Sequence, residues 1–352
     1  MWSRWARAPE EVVRVLRHWI TIPKQNKGGP TYDAPMSIAL VPDESTLPSV
    51  LPSDHLLANG VAIPELRARF RTISNWRNAR AVTMVWVWTL ALIWGGVHGP
   101  WWVGIGAFIL MGPMHARFAI LMHEAAHKLL FSHKRLNDAV GRWIIAYPAL
   151  VPVELYRRSH FAHHRDEFGP DEPDILFYNG YPCEPADLGR RLVRDAVGIS
   201  GWKNFKVLLM ATVKPGSRAL ASRIVAIQIL MAVILAITTG AWWAYPVFWW
   251  LPWMTQWRVL NRLRAIAEHG GMRRSDDRRL TTHNVEQHLL ARFWFVPYNT
   301  GWHLAHHVDM GVPWHNLPAY HNELRRAGYV TPDITFANYF QLWRAAVAER
   351  RR

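Results

Sequence analysis

The sequence predicts an all-α integral membrane protein in which four transmembrane helices form two hairpins, capped by a cytoplasmic helical domain. Three observations lead to this fold class. The chain of 352 residues contains four long apolar runs, and its Lys and Arg residues lie almost entirely outside them. Its 21 tryptophans are a marked excess, and tryptophan is typical of membrane interfaces.

The four apolar runs are the predicted transmembrane helices, and they cover residues 81–97, 101–122, 224–240 and 241–257. A spanning helix needs about 20 apolar residues, and the second run reaches that length only by continuing past His115. The two hairpin turns are expected at residues 98–100 and around Gly240. Pro246 and Pro252 should kink the fourth helix, because proline lacks an amide donor.

The distribution of positive charge predicts the orientation. Residues 1–80 contain 11 Lys and Arg residues, residues 128–223 contain 15, and residues 258–352 contain 14, whereas the two hairpin turns contain none. Since Lys and Arg stay on the cytoplasmic side, both termini and most of the mass are expected in the cytoplasm, as in a bacterial inner-membrane protein. The alternative, a soluble helical protein with buried hairpins, does not account for this asymmetry.

Composition excludes several other classes. A single cysteine, Cys183, rules out an internal disulfide framework and a metal site made only of cysteines. The net charge of +15 would suit either anionic lipid or nucleic acid, and the apolar runs favour lipid, so no nucleic-acid partner is expected. The N-terminus lacks a compact apolar core followed by a cleavage site, so we expect no cleaved signal peptide.

Eight of the 18 histidines lie in three tight clusters. Positions i, i+3 and i+4 share one face of a helix, so each cluster can direct its imidazoles toward one point. Each cluster also follows a predicted membrane helix on the cytoplasmic side, so all eight side chains can meet there. The clusters are His123 and His127 in "HEAAH", then His160, His163 and His164 in "HFAHH", and His303, His306 and His307 in "HLAHH".

Eight histidines are too many for one zinc ion, which takes about four protein ligands. Imidazole also suits iron, and two irons with about four or five ligands each would use this number and leave a position open. Such a di-iron centre can activate dioxygen.

The stretch "HEAAHKLLFSH" alone would suggest a zinc protease with Glu124 as the base. The longer form of that motif needs glycine three residues after the second histidine, where this chain has Leu130. An intramembrane zinc protease of the simple form stays possible, but it leaves the two HxxHH clusters unexplained.

These residues resemble the membrane-bound fatty acid desaturase family, a histidine-box non-haem di-iron group, in its bacterial form. The resemblance covers residues 80–325 and includes "LNDAVGRWIIAYP", "YRRSHFAHHRDEFGPDEPD", "LRAIAEHGG" and "PYNTGWHLAHHVDMGVPWHNLPAYH". It implies two iron ions as cofactor, bound by nine histidines, of which the ninth is His269. Residues 1–79 would be a cytoplasmic N-terminal segment and residues 326–352 a basic tail.

The resemblance also suggests residues around the ligands. Asn299 matches an asparagine that approaches one metal through water. Metal-bound histidines usually need carboxylates that fix their tautomer, and the candidates by proximity are Glu124, Asp171, Asp174 and Glu268.

The activity implied is O2-dependent insertion of a C=C double bond into a fatty-acyl or lipid-like chain that enters from the membrane. The sequence has no His-Pro-Gly-Gly haem motif, so electrons are expected from an external donor of the ferredoxin or rubredoxin type. Related di-iron hydroxylases and monooxygenases, which act on lipids, alkanes or specialised metabolites, share the histidine boxes and are the alternative.

Overall fold

The computed structural model describes residues 39–347, and they are mostly helical, as predicted. The predicted N-terminal segment up to residue 38 and the last five residues of the predicted tail lie outside the described part. The helices are α1 (Pro64–Phe70), α2 (Asn75–His98), α3 (Trp101–Ala126), α4 (Lys134–Ala139), α5 (Val153–Arg165), α6 (Ile175–Tyr178), α7 (Pro185–Ala196), α8 (Ile199–Ala211), α9 (Arg218–Thr239), α10 (Leu251–Met254), α11 (Gln256–His269), α12 (Leu289–Trp294), α13 (His303–Val308), α14 (Leu317–Arg326) and α15 (Tyr339–Ala345).

Shorter elements connect these helices. The strands β1 (Asn284–Val285) and β2 (Thr335–Phe336) pair in parallel, with Asn284 opposite Thr335. Turns of 3-10 helix cover Glu44–Thr46, Arg278–Leu280 and Pro332–Ile334, and π-helical segments cover Val140–Ala146 and Pro246–Trp250.

The first hairpin is formed by α2 and α3, which pack along each other. The Gly99 amide donates to the Gly95 carbonyl at 2.8 Å and closes α2. Pro100 then precedes α3, where a missing amide costs nothing because the first amides of a helix have no partner inside it. The turn therefore falls where the sequence predicts it.

Within residues 39–347, three helical segments are long and apolar enough to cross a membrane: Pro64–His98, Trp101–Ala126 and Arg218–Thr239. They contain the first three predicted runs. The fourth run, residues 241–257, is not one continuous helix: it is divided among the π-helical segment, α10 and the start of α11. Pro246 and Pro252 each remove an amide donor from this run, which prevents an unbroken α-helical ladder.

Three apolar clusters hold the helices that carry the histidines. The largest packs α3 against α2, the π-helical segments and α10, and includes the fully buried Met111, Phe118 and Trp249. A second packs α13 against α14 and residues 51–62, and a third packs α11 against α15 and the two strands. The C-terminal half of α3, α11 and α13 is therefore fixed by well-packed cores on three sides of one central region.

Candidate metal centre

The nine predicted histidines lie on, or directly after, four helices that converge in the central region. His123 and His127 end α3, the second cluster ends α5, His269 is the last residue of α11, and the third cluster lies within the short α13. All nine side chains are buried. The C-terminal end of a helix carries partial negative charge and favours a nearby cation, so the ends of α3, α5 and α11 suit metal ions.

Five of these histidines form a first group. Their nearest ring nitrogens all lie within 4.8 Å of one another. The Nε2 atom of His164 is central, at 3.1 Å from Nε2 of His160 and 3.1 Å from Nε2 of His306. The group consists of His123, His127, His160, His164 and His306.

The other four histidines form a second group. The Nε2 atom of His303 lies 3.1 Å from Nε2 of His269 and 3.0 Å from Nε2 of His307. His163 joins His269 and His307, with ligand atoms within 4.8 Å of one another. Neighbouring residues thus belong to different groups: His163 and His164 diverge, and so do His306 and His307.

The hydrogen-bond partners of the second group indicate that its ring nitrogens are arranged for a cation. Nδ1 of His269 faces the Thr281 carbonyl at 2.8 Å, so Nδ1 carries the proton and Nε2 presents a lone pair. Nδ1 of His307 faces the Glu167 carboxylate at 2.6 Å, so here too Nδ1 carries the proton and Nε2 presents a lone pair. His303 can donate to only one of these two lone pairs. Two nitrogens that bind one metal ion at right angles, each at a metal–nitrogen distance of about 2.1 Å, lie about 3.0 Å apart. The Nε2 atoms of this group have that separation.

The first group points to the same conclusion through unpartnered atoms. Nδ1 of His123, Nε2 of His127 and Nδ1 of His160 are buried and have no hydrogen-bond partner. Buried polar atoms are normally paired, and a bound cation would pair with one nitrogen of each ring, which for His160 is Nε2 rather than the unpartnered Nδ1. The residues present therefore fit two metal ions.

Burial keeps most of these imidazoles neutral, which is the form that binds metal. Desolvation, with repulsion among the neighbouring imidazoles, lowers the pKa of most of them well below the ordinary value and that of His306 to about 3. Those with strongly lowered pKa values outside the membrane-spanning segments are His127, His160, His164, His269, His303 and His307.

Two glutamates that the sequence did not single out contact the metal-site histidines directly. Glu172 places both carboxylate oxygens 3.0 and 3.1 Å from Nδ1 of His163. Burial would lower the pKa of His163, but the hydrogen bond and charge of Glu172 raise it above its ordinary value. Glu167 accepts from His307 and is ion-paired with Arg278. Both glutamates come from "RDEFGPDEPD", the acidic segment after the second cluster.

The four predicted carboxylates lie at different distances from the histidines. Glu268 has an oxygen 3.6 Å from Nδ1 of His303, and Asp174 lies with His163 and Glu172 in a possible metal-binding group. Glu124 lies 3.8 Å from Nδ1 of His123. Asp171 is exposed, whereas its neighbour Glu172 is buried.

Glu124 and the predicted Asn299 both contact the loop after the third cluster. The Trp314 amide donates to Glu124 at 3.1 Å. The Asn299 amide group donates to the Trp314 carbonyl at 3.3 Å, and its oxygen accepts from Arg292 at 3.0 Å. Both side chains therefore help to hold this loop against α3 and α12.

A small cavity of about 10 Å³ borders both histidine groups. Its walls include His123 and His306 of the first group and His303 of the second, with Glu124 and Glu268 beside them. This volume is at the lower limit for one water molecule, so the space beside these three histidines is no larger than a small reactant needs.

Comparison with known proteins gives a consistent result. A family model described as fatty acid desaturase matches residues 99–334. The chain is 26% identical over 233 residues to the dihydrorhizobitoxine desaturase of Bradyrhizobium elkanii, covering 60% of this chain and 65% of the relative. It is 28% identical over 197 residues to the sn-1 oleoyl-lipid 12-desaturase of Anabaena variabilis, covering 47% and 53% respectively.

A second sn-1 oleoyl-lipid 12-desaturase, from Arthrospira platensis, is 22% identical over 340 residues, covering 86% of this chain and 91% of the relative. The alignments thus span less than two thirds of the first two relatives and nearly all of the third.

Proposed function

Because the chain belongs to the fatty acid desaturase family and is an oxidoreductase, we propose that it is an O2-dependent di-iron desaturase that introduces a C=C double bond into a fatty-acyl or lipid-like chain. The observation that carries this proposal is the assembly of nine buried histidines in one central region: five form one group of close ring nitrogens, His163, His269 and His307 form another, and His303 lies beside the second.

The first iron would be held by the five histidines of the first group and the second iron by the four of the second. Bound iron supplies the oxidising power by which O2, two electrons and two protons take two hydrogens from adjacent carbons, giving an alkene and two water molecules. Glu167 and Glu172 hold the proton of His307 and His163 at Nδ1. This leaves Nε2 of each ring free to face the metal, and the packed cores exclude bulk water from the site.

The substrate would reach the site from the bilayer. The three apolar helices and the family support membrane association. We propose that the broken fourth segment completes a second hairpin, with the termini and the metal centre on the cytoplasmic side of a bacterial inner membrane. The desaturase domain would then span residues 80–325, between the N-terminal segment and the basic tail, and receive electrons from a ferredoxin or rubredoxin.

The test uses the full chain expressed in a bacterial host grown in air. Iron and zinc per purified chain and the double-bond content of host lipids are measured with and without the protein. Two irons and a new double bond are expected. A hydroxylated product would replace the desaturase proposal with a hydroxylase, and one zinc without any oxidised product would overturn both.

Variants of each histidine group test the ligand assignment separately. His164→Ala and His303→Ala should each lower bound iron, because each removes the nitrogen at the centre of its group. His98→Ala, at the end of α2, is the matched control and should leave bound iron unchanged. Unchanged iron in either of the first two variants would contradict the assignment.

A further inference from the structure

Helix α8 exposes an apolar surface on the side that faces away from the protein. Its residues repeat at about 100° per residue, so positions 199, 202, 209 and 210 fall on one side, and position 213 continues this side beyond the helix. The exposed side chains are Ile199, Trp202, Leu209, Met210 and Val213, with Trp202 49% and Val213 77% exposed.

The opposite face of α8 is fixed against the protein core. Leu208 is buried, and the Phe205 ring packs 5.4 Å from the Trp250 ring. At Gly201 a Cβ atom would lie 2.2 Å from the Met254 carbonyl oxygen, so the helix backbone approaches α10 closely. The exposed apolar side chains therefore cannot be buried by a simple rotation of α8, and exposed apolar surface can mark an interaction site. Lys203 and Lys206 fall on the same side of the helix as these side chains.

Charge identifies the partner of this surface. Residues 199–218 contain four basic residues and no Asp or Glu. Lys203 and Lys206 are exposed on α8 itself, and Lys214 and Arg218 follow the helix. A surface that combines apolar side chains, tryptophan and lysine is complementary to an anionic lipid interface, which takes up both kinds of group.

The path of the chain supports the same partner. α9 begins at Arg218, seven residues after α8 ends, and it is long and apolar enough to cross a membrane. α8 therefore lies at one end of a membrane-spanning helix, at the level where headgroups are expected. The adjoining α7 exposes Val193 beside Arg194, whereas its Arg190 is ion-paired with Asp187.

We propose that the exposed face of α8 lies in the membrane interface and binds anionic phospholipid headgroups through Lys203 and Lys206. The apolar side chains enter the boundary between headgroups and acyl chains, and the lysines contact phosphates. This inference concerns lipid binding and does not depend on the desaturase activity. Each basic residue near an anionic surface contributes about a fivefold increase in lipid affinity.

The first experiment locates α8 relative to the bilayer. Met210→Cys in a Cys183→Ser background gives one exposed labelling site for a fluorophore. The labelled full chain is reconstituted into vesicles that carry doxyl-labelled phospholipid. Strong quenching is expected, and a label that stays unquenched would overturn the proposal.

The second experiment measures headgroup selectivity. The full chain is reconstituted in vesicles of phosphatidylcholine with about a third phosphatidylglycerol, and the phosphatidylglycerol retained on the detergent-extracted protein is counted. Lys203→Gln with Lys206→Gln should reduce retention by about fivefold or more. The control pair Arg326→Gln with Arg344→Gln removes two exposed charges elsewhere and should change it little.

A rescue variant separates lipid binding from misfolding. Lys203→Arg with Lys206→Arg keeps both charges and should restore retention. Equal loss in the glutamine pair and the control pair would overturn the proposal. Unchanged phosphatidylglycerol retention in the glutamine pair would also overturn the proposal. That is the result expected if the partner of α8 is an acidic protein rather than lipid.

Discussion

Glu172→Gln provides a direct test of how the metal centre is supported. The Glu172 carboxylate accepts from Nδ1 of His163 at 3.0 Å and from the backbone amides of Asp174 at 3.0 Å and Phe168 at 3.3 Å. All three partners are donors. A glutamine at this buried position must turn its own NH2 group toward at least one of them, which leaves donors facing each other.

The expected size follows from these contacts. A hydrogen bond to a charged group contributes about 1.5–3 kcal/mol. Loss of a carboxylate that orients a metal-bound histidine costs roughly 10–100-fold in metal affinity, which corresponds to about 1.4–2.8 kcal/mol. The two estimates agree, so Glu172→Gln should weaken iron binding by about 10–100-fold.

The adjacent residue offers a matched control. Asp171, a candidate carboxylate by its proximity in sequence, is exposed, and an exposed substitution usually changes stability by about 0.5 kcal/mol or less. Asp171→Asn should therefore weaken iron binding by about twofold or less. Iron affinity is measured by chelator competition on the purified full chain. Equal losses in the two variants, or a loss below about twofold in Glu172→Gln, would refute this account of His163.

Three further predictions concern pH and packing. Histidines of the unfolded chain are protonated near pH 6.5, whereas most metal-site imidazoles have strongly lowered pKa values in the folded chain. The free energy of unfolding of the metal-free chain should therefore decrease as the pH is lowered below 6.5. Each such histidine contributes a loss of about 1.4 kcal/mol in the free energy of unfolding per pH unit below 6.5. His163 has a raised pKa and acts in the opposite direction: it stabilises the folded chain below pH 6.5, and this effect is lost as the pH rises through the pKa of His163. The histidines with lowered pKa values are more numerous, so the net effect is a loss of stability in acid. A higher melting temperature at pH 5 than at pH 7 would contradict this prediction. Gly141→Ala should destabilise the chain by about 1–3 kcal/mol in thermal unfolding, because the new Cβ would lie 2.4 Å from Cβ of Ala125, whereas Gly106→Ala meets no atom within 4 Å and should not. Arg157→Met removes a guanidinium that donates to the Ala125 carbonyl at 2.9 Å, and it should lower both melting temperature and bound iron; a change in neither would show that this contact does not hold the end of α3.

Most residues of the candidate metal site can be proposed from the sequence, because the signal for them is local. Three histidines at i, i+3 and i+4 share a face wherever a helix forms, so the clusters on α5 and α13 can be proposed as sets of metal ligands without knowledge of the fold. The first three apolar runs likewise coincide with helices, because length and composition alone define them. The fourth could be predicted to bend at Pro246 and Pro252, but not to divide into a π-helical segment and two helices.

The supporting carboxylates were harder to predict, for a physical reason. After Arg165 the chain leaves the helix, and Phe168 adopts a left-handed conformation with φ of 60°. No periodicity then sets the direction of the following side chains. Glu167 and Glu172 thus point inward and Asp171 outward, although all three lie in one acidic segment.

The alternation of neighbouring histidines between the two groups has a consequence for how the centre fills. His163 and His164 are one residue apart on α5, and His306 and His307 are one residue apart on α13, so each of these helices serves both ions. An ion held by the first group would bind side chains of α5 and α13, the same two helices that also supply the second group, and would so set the positions of His163 and His307. Metal loading should therefore be cooperative, with chains holding either no iron or two and few holding one.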